Sequence, residues 1–306
     1  MGTQYTVKIG SLPSGIDREK LAADIDHLLQ GVDDRMSTYK ESSELSRINR
    51  SPSTDWVTVS NELLTVVEAS LQVSRLSGGA FDVTVGPLVN LWGFGPEPRS
   101  EQVPTDEQIR EASARVGFTQ LHTRPTPPAI RKDRPDLYLD LSAVAQGYAA
   151  DKVAAHLEAI GIYNYLVDVS GELRVKGRNA RGEFWRIGIE KPLANSRIVQ
   201  QVIQVSNRAM ATSGDYRNFF EEAGRRFSHE IDPHTGRPVT HNLASVTVIS
   251  ASAMHADAMA TALMVLGPEA GYQLAERENL AAFFLVKKNN GFVEKSTLAF
   301  RPYLAK

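Results

Sequence analysis

In its second half the chain crowds short β-branched and aromatic runs together: Tyr165–Val169, Glu172–Lys176, Trp185–Glu190, Ile198–Val205 and Ser245–Ser250. Runs of this length read as strands, and consecutive strands with few residues between them pair antiparallel. Ser170-Gly171 and the stretch Arg178 to Gly182 suit the hairpin turns such pairing needs. Helical patterns stand on either side. Asp17 opens one, with Leu21, Ile25, Leu28, Leu29 and Val32 on one face. Ser60 caps a second, carrying Leu64, Val67 and Leu71 and ended by Gly78 or Gly79. Thr105-Asp106-Glu107-Gln108 makes a capping box for a third, which stops near Gly117. Leu137–Leu141 reads as a short buried strand feeding a small-residue helix from about Ala143 to Ile160, closed by Gly161. His255–Leu266 and Pro268–Leu280 read as two more helices, the latter with Pro first. Gln4–Ile9 and Ala282–Lys287 add strands, the second followed by a turn at Asn290-Gly291 and a further strand. Pro87 to Arg99 reads as an ordered loop. This order predicts an α+β fold of mixed, largely antiparallel sheets with packed helices, not a doubly wound parallel sheet. With no low-complexity linker, residues 1–306 are expected to form a single two-lobed domain.

Composition narrows the chemistry. The 306 residues contain no cysteine, which excludes disulfides, thiolate nucleophiles, iron–sulfur clusters and thiolate zinc sites. Lys plus Arg is 34 and Asp plus Glu is 36, so no global basic field exists to hold nucleic acid. No window reaches the ~20 apolar residues of a membrane helix, and the start lacks a signal peptide's basic and apolar runs. P-loop, Rossmann, G-x-S-x-G and HExxH patterns are all missing.

Four segments are dense in small and polar residues. In His255-Ala256-Asp257-Ala258-Met259-Ala260-Thr261-Ala262-Leu263, Asp257 and Thr261 share a helix face and offer hard oxygen ligands suited to Mg²⁺. The same spacing also fits an Asp favoured by the helix dipole and a Thr bonded back to a carbonyl. Asp140-Leu141-Ser142-Ala143-Val144-Ala145-Gln146-Gly147 leads into a helix whose N–H groups could face an anion, or else Asp140 or Ser142 simply caps it. Ser228-His229-Glu230-Ile231-Asp232-Pro233-His234-Thr235-Gly236 sets a histidine on an extended stretch before a turn, as a general base or as a hydrogen-bonded structural residue. Gly79-Ala80-Phe81-Asp82 could approach a planar ligand closely, or make a tight entry to a strand.

Taken in order with Met1-Gly2-Thr3, Met36-Ser37-Thr38-Tyr39, Ser43-Glu44-Leu45-Ser46-Arg47-Ile48-Asn49 and Gly79 to Leu88, these segments resemble the ApbE family of FAD:protein FMN transferases across nearly the whole chain. The resemblance implies an ApbE-like fold and Mg²⁺-dependent cleavage of FAD. FMN passes to a Thr or Ser hydroxyl of a target protein and AMP is released. It implies flavin-nucleotide contacts at Met1, Tyr39, Ala80, Phe81, Asp82, Asp140, Gln146 and Ile231, metal ligation by the Ala143 carbonyl, Asp257 and Thr261, and His229 as the base. Gln146 stands where Lys or Glu is common in the family, and Ala143 where some members carry Thr. The implied partner is an acceptor with a D-x-x-[ST]-G-A-T type motif, in subunits of membrane redox complexes. The implied location is the periplasm, with lipoprotein attachment at the inner membrane through a leader in the full precursor. Two alternatives use the same residues: a Mg²⁺-dependent FAD pyrophosphatase giving FMN and AMP, and a non-catalytic FAD-binding protein.

Overall fold

The computed structural model describes residues 3–96, 103–193, 198–216, 218–222, 224–289 and 291–304. In chain order, β1 (Tyr5–Ile9) and α1 (Arg18–Met36) precede α2 (Glu44–Arg50), β2 (Val57–Thr58), α3 (Asn61–Leu76), α4 (Gly86–Leu91), α5 (Asp106–Ser113), β3 (Leu121–Pro125) and β4 (Pro128–Lys132). Next come α6 (Ala145–Ala159), β5 (Tyr165–Val169), β6 (Glu172–Lys176), β7 (Trp185–Glu190), β8 (Val199–Val205) and β9 (Arg208–Gly214). The rest are β10 (Phe219–Glu222), β11 (Arg225–Ser228), β12 (Ile231–Asp232), β13 (Arg237–Pro238), β14 (Leu243–Ser250), α7 (Ala253–Arg277), β15 (Ala281–Lys288) and β16 (Gly291–Ser296). These elements fall into two compact units, each discontinuous in sequence.

The first unit draws on Met1–Val32, Val144–Arg217 and Asn242–Lys306. Its seven-stranded sheet runs β1-β5-β6-β9-β14-β15-β16, with every neighbour pair antiparallel. Helix α6 packs on β5 and β6, and α7 on β9 and β14. A further core joins Leu166, Leu173, Met210, Phe283 and Leu285 of the sheet to Trp185, Ile187 and Ile203 of the β7–β8 ribbon. Of these strands, β5, β14 and β15 are buried along most of their length, whereas the edge strands β1 and β16 are partly exposed. The β5–β6 turn has positive φ at both Ser170 (62°) and Gly171 (111°), the primed geometry that matches strand twist.

The second unit comprises Asp33–Ala143 and Asn218–His241. Helix α3 buries Leu63, Leu64, Val66, Val67 and Leu71 and packs on the β3–β4 hairpin, to which β2 adds an edge. Leu88, Trp92, Ile109, Ala112, Phe227 and Ile231 form a second cluster. There Trp92 Nε1 donates to the Gly236 carbonyl at 2.8 Å.

Most of the expected helix ends hold. Asp17 Oδ1 accepts from Glu19 and Lys20 N–H, Ser60 caps α3, and the capping box at Thr105 and Gln108 is complete on both sides. Gly267, at φ 80° and ψ −175°, separates the two helical stretches of α7, and Pro268 follows it. Three local expectations fail, and one strand was not foreseen. Pro87 begins a helix instead of lying in a loop, because α4 places it in the first turn, where no N–H is needed. Leu137–Leu141 is extended but joins no ladder. Its partners are the Asn49 side chain, whose Oδ1 accepts from Leu139 N–H and whose Nδ2 donates to the Leu139 carbonyl, both at 2.8 Å, and the Val83 carbonyl, which accepts from Asp140 N–H at 2.7 Å. The turn at Arg178 to Gly182 forms, with Gly182 N–H donating to Asn179 at 2.9 Å, yet the strands on either side belong to different sheets. The small-residue run of β9 supplies a central strand that propensity alone does not announce.

Candidate active site

Of the candidate metal ligands, Asp257 and Thr261 belong to the first unit, on α7 beside its contact with α6, whereas Ala143 ends a segment of the second unit. A Cβ on Gly147 would overlap the Ala253 carbonyl, whose carbon would lie 2.6 Å away, so the two helices touch backbone to backbone there. This contact brings the Gly147 N–H to Asp257 Oδ2 at 3.0 Å. Asp257 is only 6% exposed. Thr261, one turn on, meets Ser213 Oγ at 3.1 Å. Asp257 is not a first-turn residue, because α7 starts at Ala253 with Ser252 as its cap. The start of α7 is held instead by Asp151 of α6, which accepts from Ser252 Oγ at 2.7 Å and from the Ala253 and Met254 N–H groups at 3.0 Å. The capping alternative for Asp140 and Ser142 also falls. The residue flanking α6 is Val144, with no side-chain cap, and Asp140 accepts from the Ser142 N–H and hydroxyl. Gln146 is the second residue of α6 and half-buried.

A second buried acid belongs to this cluster. Glu172, at the start of β6, is 7% exposed, and its Oε2 has no hydrogen-bond partner. Burial and then the Asp257 carboxylate push its carboxyl well above the ordinary range. All these side chains carry hard oxygen, the donor type a Mg²⁺ takes. Two carboxylates in poor solvent contact are expensive without a cation beside them, so the residues present fit a divalent ion.

In the second unit, His229 lies just after β11. Its Nδ1 is 2.9 Å from the Asn218 carbonyl oxygen. A carbonyl only accepts, so Nδ1 carries a proton, and in the neutral ring the lone pair falls on Nε2. Glu230 Oε1 stands 3.6 Å from Nε2. Phe94 presents its ring edge-to-face to the imidazole at 6.2 Å. The Phe94 carbonyl accepts from the Tyr39 hydroxyl at 3.2 Å, and Tyr39 as a whole is 68% exposed. Burial of its hydroxyl end and then the Asp140 charge raise that phenol's pKa. Phe94 therefore lies between Tyr39 and His229, and Tyr39 feels the Asp140 charge.

The segment from Ala80 to Asp82 is anchored from within. Asp82 Oδ1 accepts from Thr84 N–H at 2.7 Å and Thr84 Oγ1 at 2.6 Å, and Oδ2 from Phe118 N–H at 2.9 Å. Burial raises this carboxyl's pKa against those bonds. Ala80 and Phe81 are buried, and Ile231 packs its side chain into the Leu88–Trp92 cluster. His234 holds the preceding turn, its Nε2 3.0 Å from the Gly78 carbonyl and its Nδ1 3.1 Å from Asp232 Oδ1. Met1 lies outside the described residues. Sequence reasoning assigned no role to Asn218, Glu172, Asp151 or Asn49. Asn49 stood in a segment already singled out and Asp151 in the expected small-residue helix, whereas Glu172 opens a strand that also carries Arg174 and Lys176 and left no distinct signal. Asn218 acts through its backbone and left no signal.

The architecture is that of the flavin transferases. The structure titled Flavin Transferase ApbE from Vibrio cholerae superposes with a TM-score of 0.93 at 46% identity, covering 99% of this chain and 96% of that one. Pseudomonas stutzeri flavinyl transferase ApbE, in its apo form, gives 0.91 at 43%, covering 99% and 94%. The FAD:protein FMN transferase of Vibrio cholerae is 47% identical over 306 residues, spanning 100% of this chain and 91% of the relative. The sequence pattern of the ApbE family matches residues 1–284, and the chain belongs to that family. The expectation of an α+β fold with largely antiparallel sheets holds.

Proposed function

We propose that this chain is a FAD:protein FMN transferase that uses Mg²⁺ to pass FMN from FAD to a Thr or Ser hydroxyl of an acceptor protein, releasing AMP. The observation that carries the reading is similarity along the full length to relatives of that name, at 47% identity for the Vibrio cholerae protein and 43% for that of Escherichia coli. The acceptor would present a D-x-x-[ST]-G-A-T type motif in a subunit of a membrane redox complex, and the reaction would take place in the periplasm.

The residues fit the chemistry. Asp257, Thr261 and the Ala143 carbonyl would hold the cation. Among the described residues no three His, Asp or Glu side chains form a ready metal cage, which suits an ion completed by phosphate and water oxygens. When bound there, Mg²⁺ supplies charge neutralisation at the diphosphate. The acceptor oxygen attacks the FMN phosphorus, the bond from that phosphorus to the oxygen of the AMP phosphate breaks, and the hydroxyl proton goes to His229 Nε2. The Asn218 carbonyl keeps the imidazole in the tautomer able to take that proton. Glu230, at 3.6 Å, stabilises the imidazolium that results. Tyr39, Asp140 and Gln146 remain as side-chain contacts to the nucleotide. Ala80, Phe81, Asp82 and Ile231 have side chains engaged in packing or hydrogen bonds and would contribute through the backbone.

Incubation of the chain with FAD, Mg²⁺ and an acceptor domain should add one FMN to the acceptor mass. An unchanged mass rejects the reading, and rapid FMN and AMP release without acceptor assigns the chain as a pyrophosphatase instead. His229→Ala should slow transfer about 10²–10⁴-fold with little change in FAD affinity; equal losses in both would give His229 a binding role.

A further inference from the structure

The β5–β6 hairpin places an acid where a fold gains nothing from one. Glu172 follows the Ser170-Gly171 turn, pairs across the ladder with Val169, and is 7% exposed. Val169 across the ladder and Leu173 next in sequence are both buried apolar residues. A buried carboxylate oxygen ordinarily finds a donor. Glu172 Oε2 finds none, although Asp168, one turn back, accepts from the Gly171 N–H at 2.9 Å. The charges that face Glu172 are both negative, Asp257 from α7 and Asp168 from β5. Among the described residues no lysine or arginine pairs with it in the way that Lys176, further along the same strand, pairs with Glu158 at 2.6 Å. A carboxylate left without a donor beside a second carboxylate is the arrangement that a cation or its bound water completes.

We propose that Glu172 is a further member of the divalent-cation site, accepting hydrogen bonds from water in the ion's shell and setting the charge that Asp257 and Thr261 alone would leave short. The proposal rests on the reading of Asp257 as a metal ligand. Mg²⁺ gives up its water reluctantly and keeps several molecules of it, so an anchor for that shell needs an acceptor one layer out. Glu172, on a sheet strand with a rigid two-residue turn before it, supplies one. Partners of this kind change metal affinity about 10–100-fold when removed.

The test is a Mn²⁺ titration of the full chain in the presence of FAD, with free Mn²⁺ read from its EPR signal and FAD with Mn²⁺ alone as the blank. Glu172→Gln should weaken Mn²⁺ binding about 10-fold or more, while its metal-free melting temperature stays at or above that of the unmodified chain. Normal Mn²⁺ binding by Glu172→Gln, with Asp257→Asn weakened, overturns the role of Glu172 and leaves Asp257 as a ligand. Normal binding by both variants, or no binding by the unmodified chain, overturns the metal reading itself. If Glu172→Gln does not fold, Glu172→Asp is titrated in its place. It keeps the charge but draws it back by one methylene, so weakened binding supports the proposal and unchanged binding overturns it.

Discussion

Gly147 shows how a single residue carries the arrangement around Asp257. Any side chain there would run into the Ala253 carbonyl, so glycine is required for α6 and α7 to meet at the backbone and for the Gly147 N–H to reach Asp257. Gly147→Ala should therefore destabilise the chain by about 1–3 kcal/mol, the usual cost of overpacking, despite alanine's better helix propensity. Denaturant unfolding measures this, and an unchanged midpoint would mean that the helices part without penalty. At this scale the sequence was informative about residue type and poor on role. Asp257, Thr261 and His229 stood out by their chemistry. Asp82 stood out as well, but its carboxylate proves to be engaged with Thr84 and Phe118, a fact that depends on where a residue 36 positions away in the chain comes to lie.

Among the elements, α6 is tied to the sheet by charge as well as packing. Glu158 accepts from Lys176 Nζ and from the Tyr165 hydroxyl, both at 2.6 Å. Desolvation pulls the Glu158 carboxyl up, but these hydrogen bonds outweigh it and leave the pKa below the ordinary 4.5. A group depressed in the folded state contributes stability that is present above its unfolded pKa and lost as pH falls through the folded one. Glu158→Gln should accordingly melt below the unmodified chain near neutral pH, with the gap closing as pH drops below about 4.5. Melts across that range check it, and a gap that does not change with pH would show that the charge contributes nothing. Helices were the most legible elements, because caps such as Ser60 and Thr105 act within one turn of sequence. The failures share one cause. Leu137–Leu141 takes its partners from the Asn49 side chain and the Val83 carbonyl, and β9 is a strand because β6 and β14 flank it. In both cases distant chain, not local propensity, settles the outcome.

For the molecule as a whole, ligands that bind only the folded chain must stabilise it. FAD and Mg²⁺, each at about 100 times its dissociation constant, should each add about 2.7 kcal/mol, seen as successive rises in melting temperature. Asp257→Asn should keep the rise due to FAD and lose the increment due to Mg²⁺; an intact increment would remove Asp257 from the metal site. The order of motifs along the chain was enough to identify the family and the α+β class, because both are written in residue types and spacings that survive without coordinates. Only the folded structure decided which acids are already satisfied and which are not. It set Asp257 against a backbone N–H 110 residues away, gave His229 its tautomer through the Asn218 carbonyl, and left Glu172 without a donor. Hydrogen-bond satisfaction is a property of neighbours in space, and the linear pattern holds no record of them.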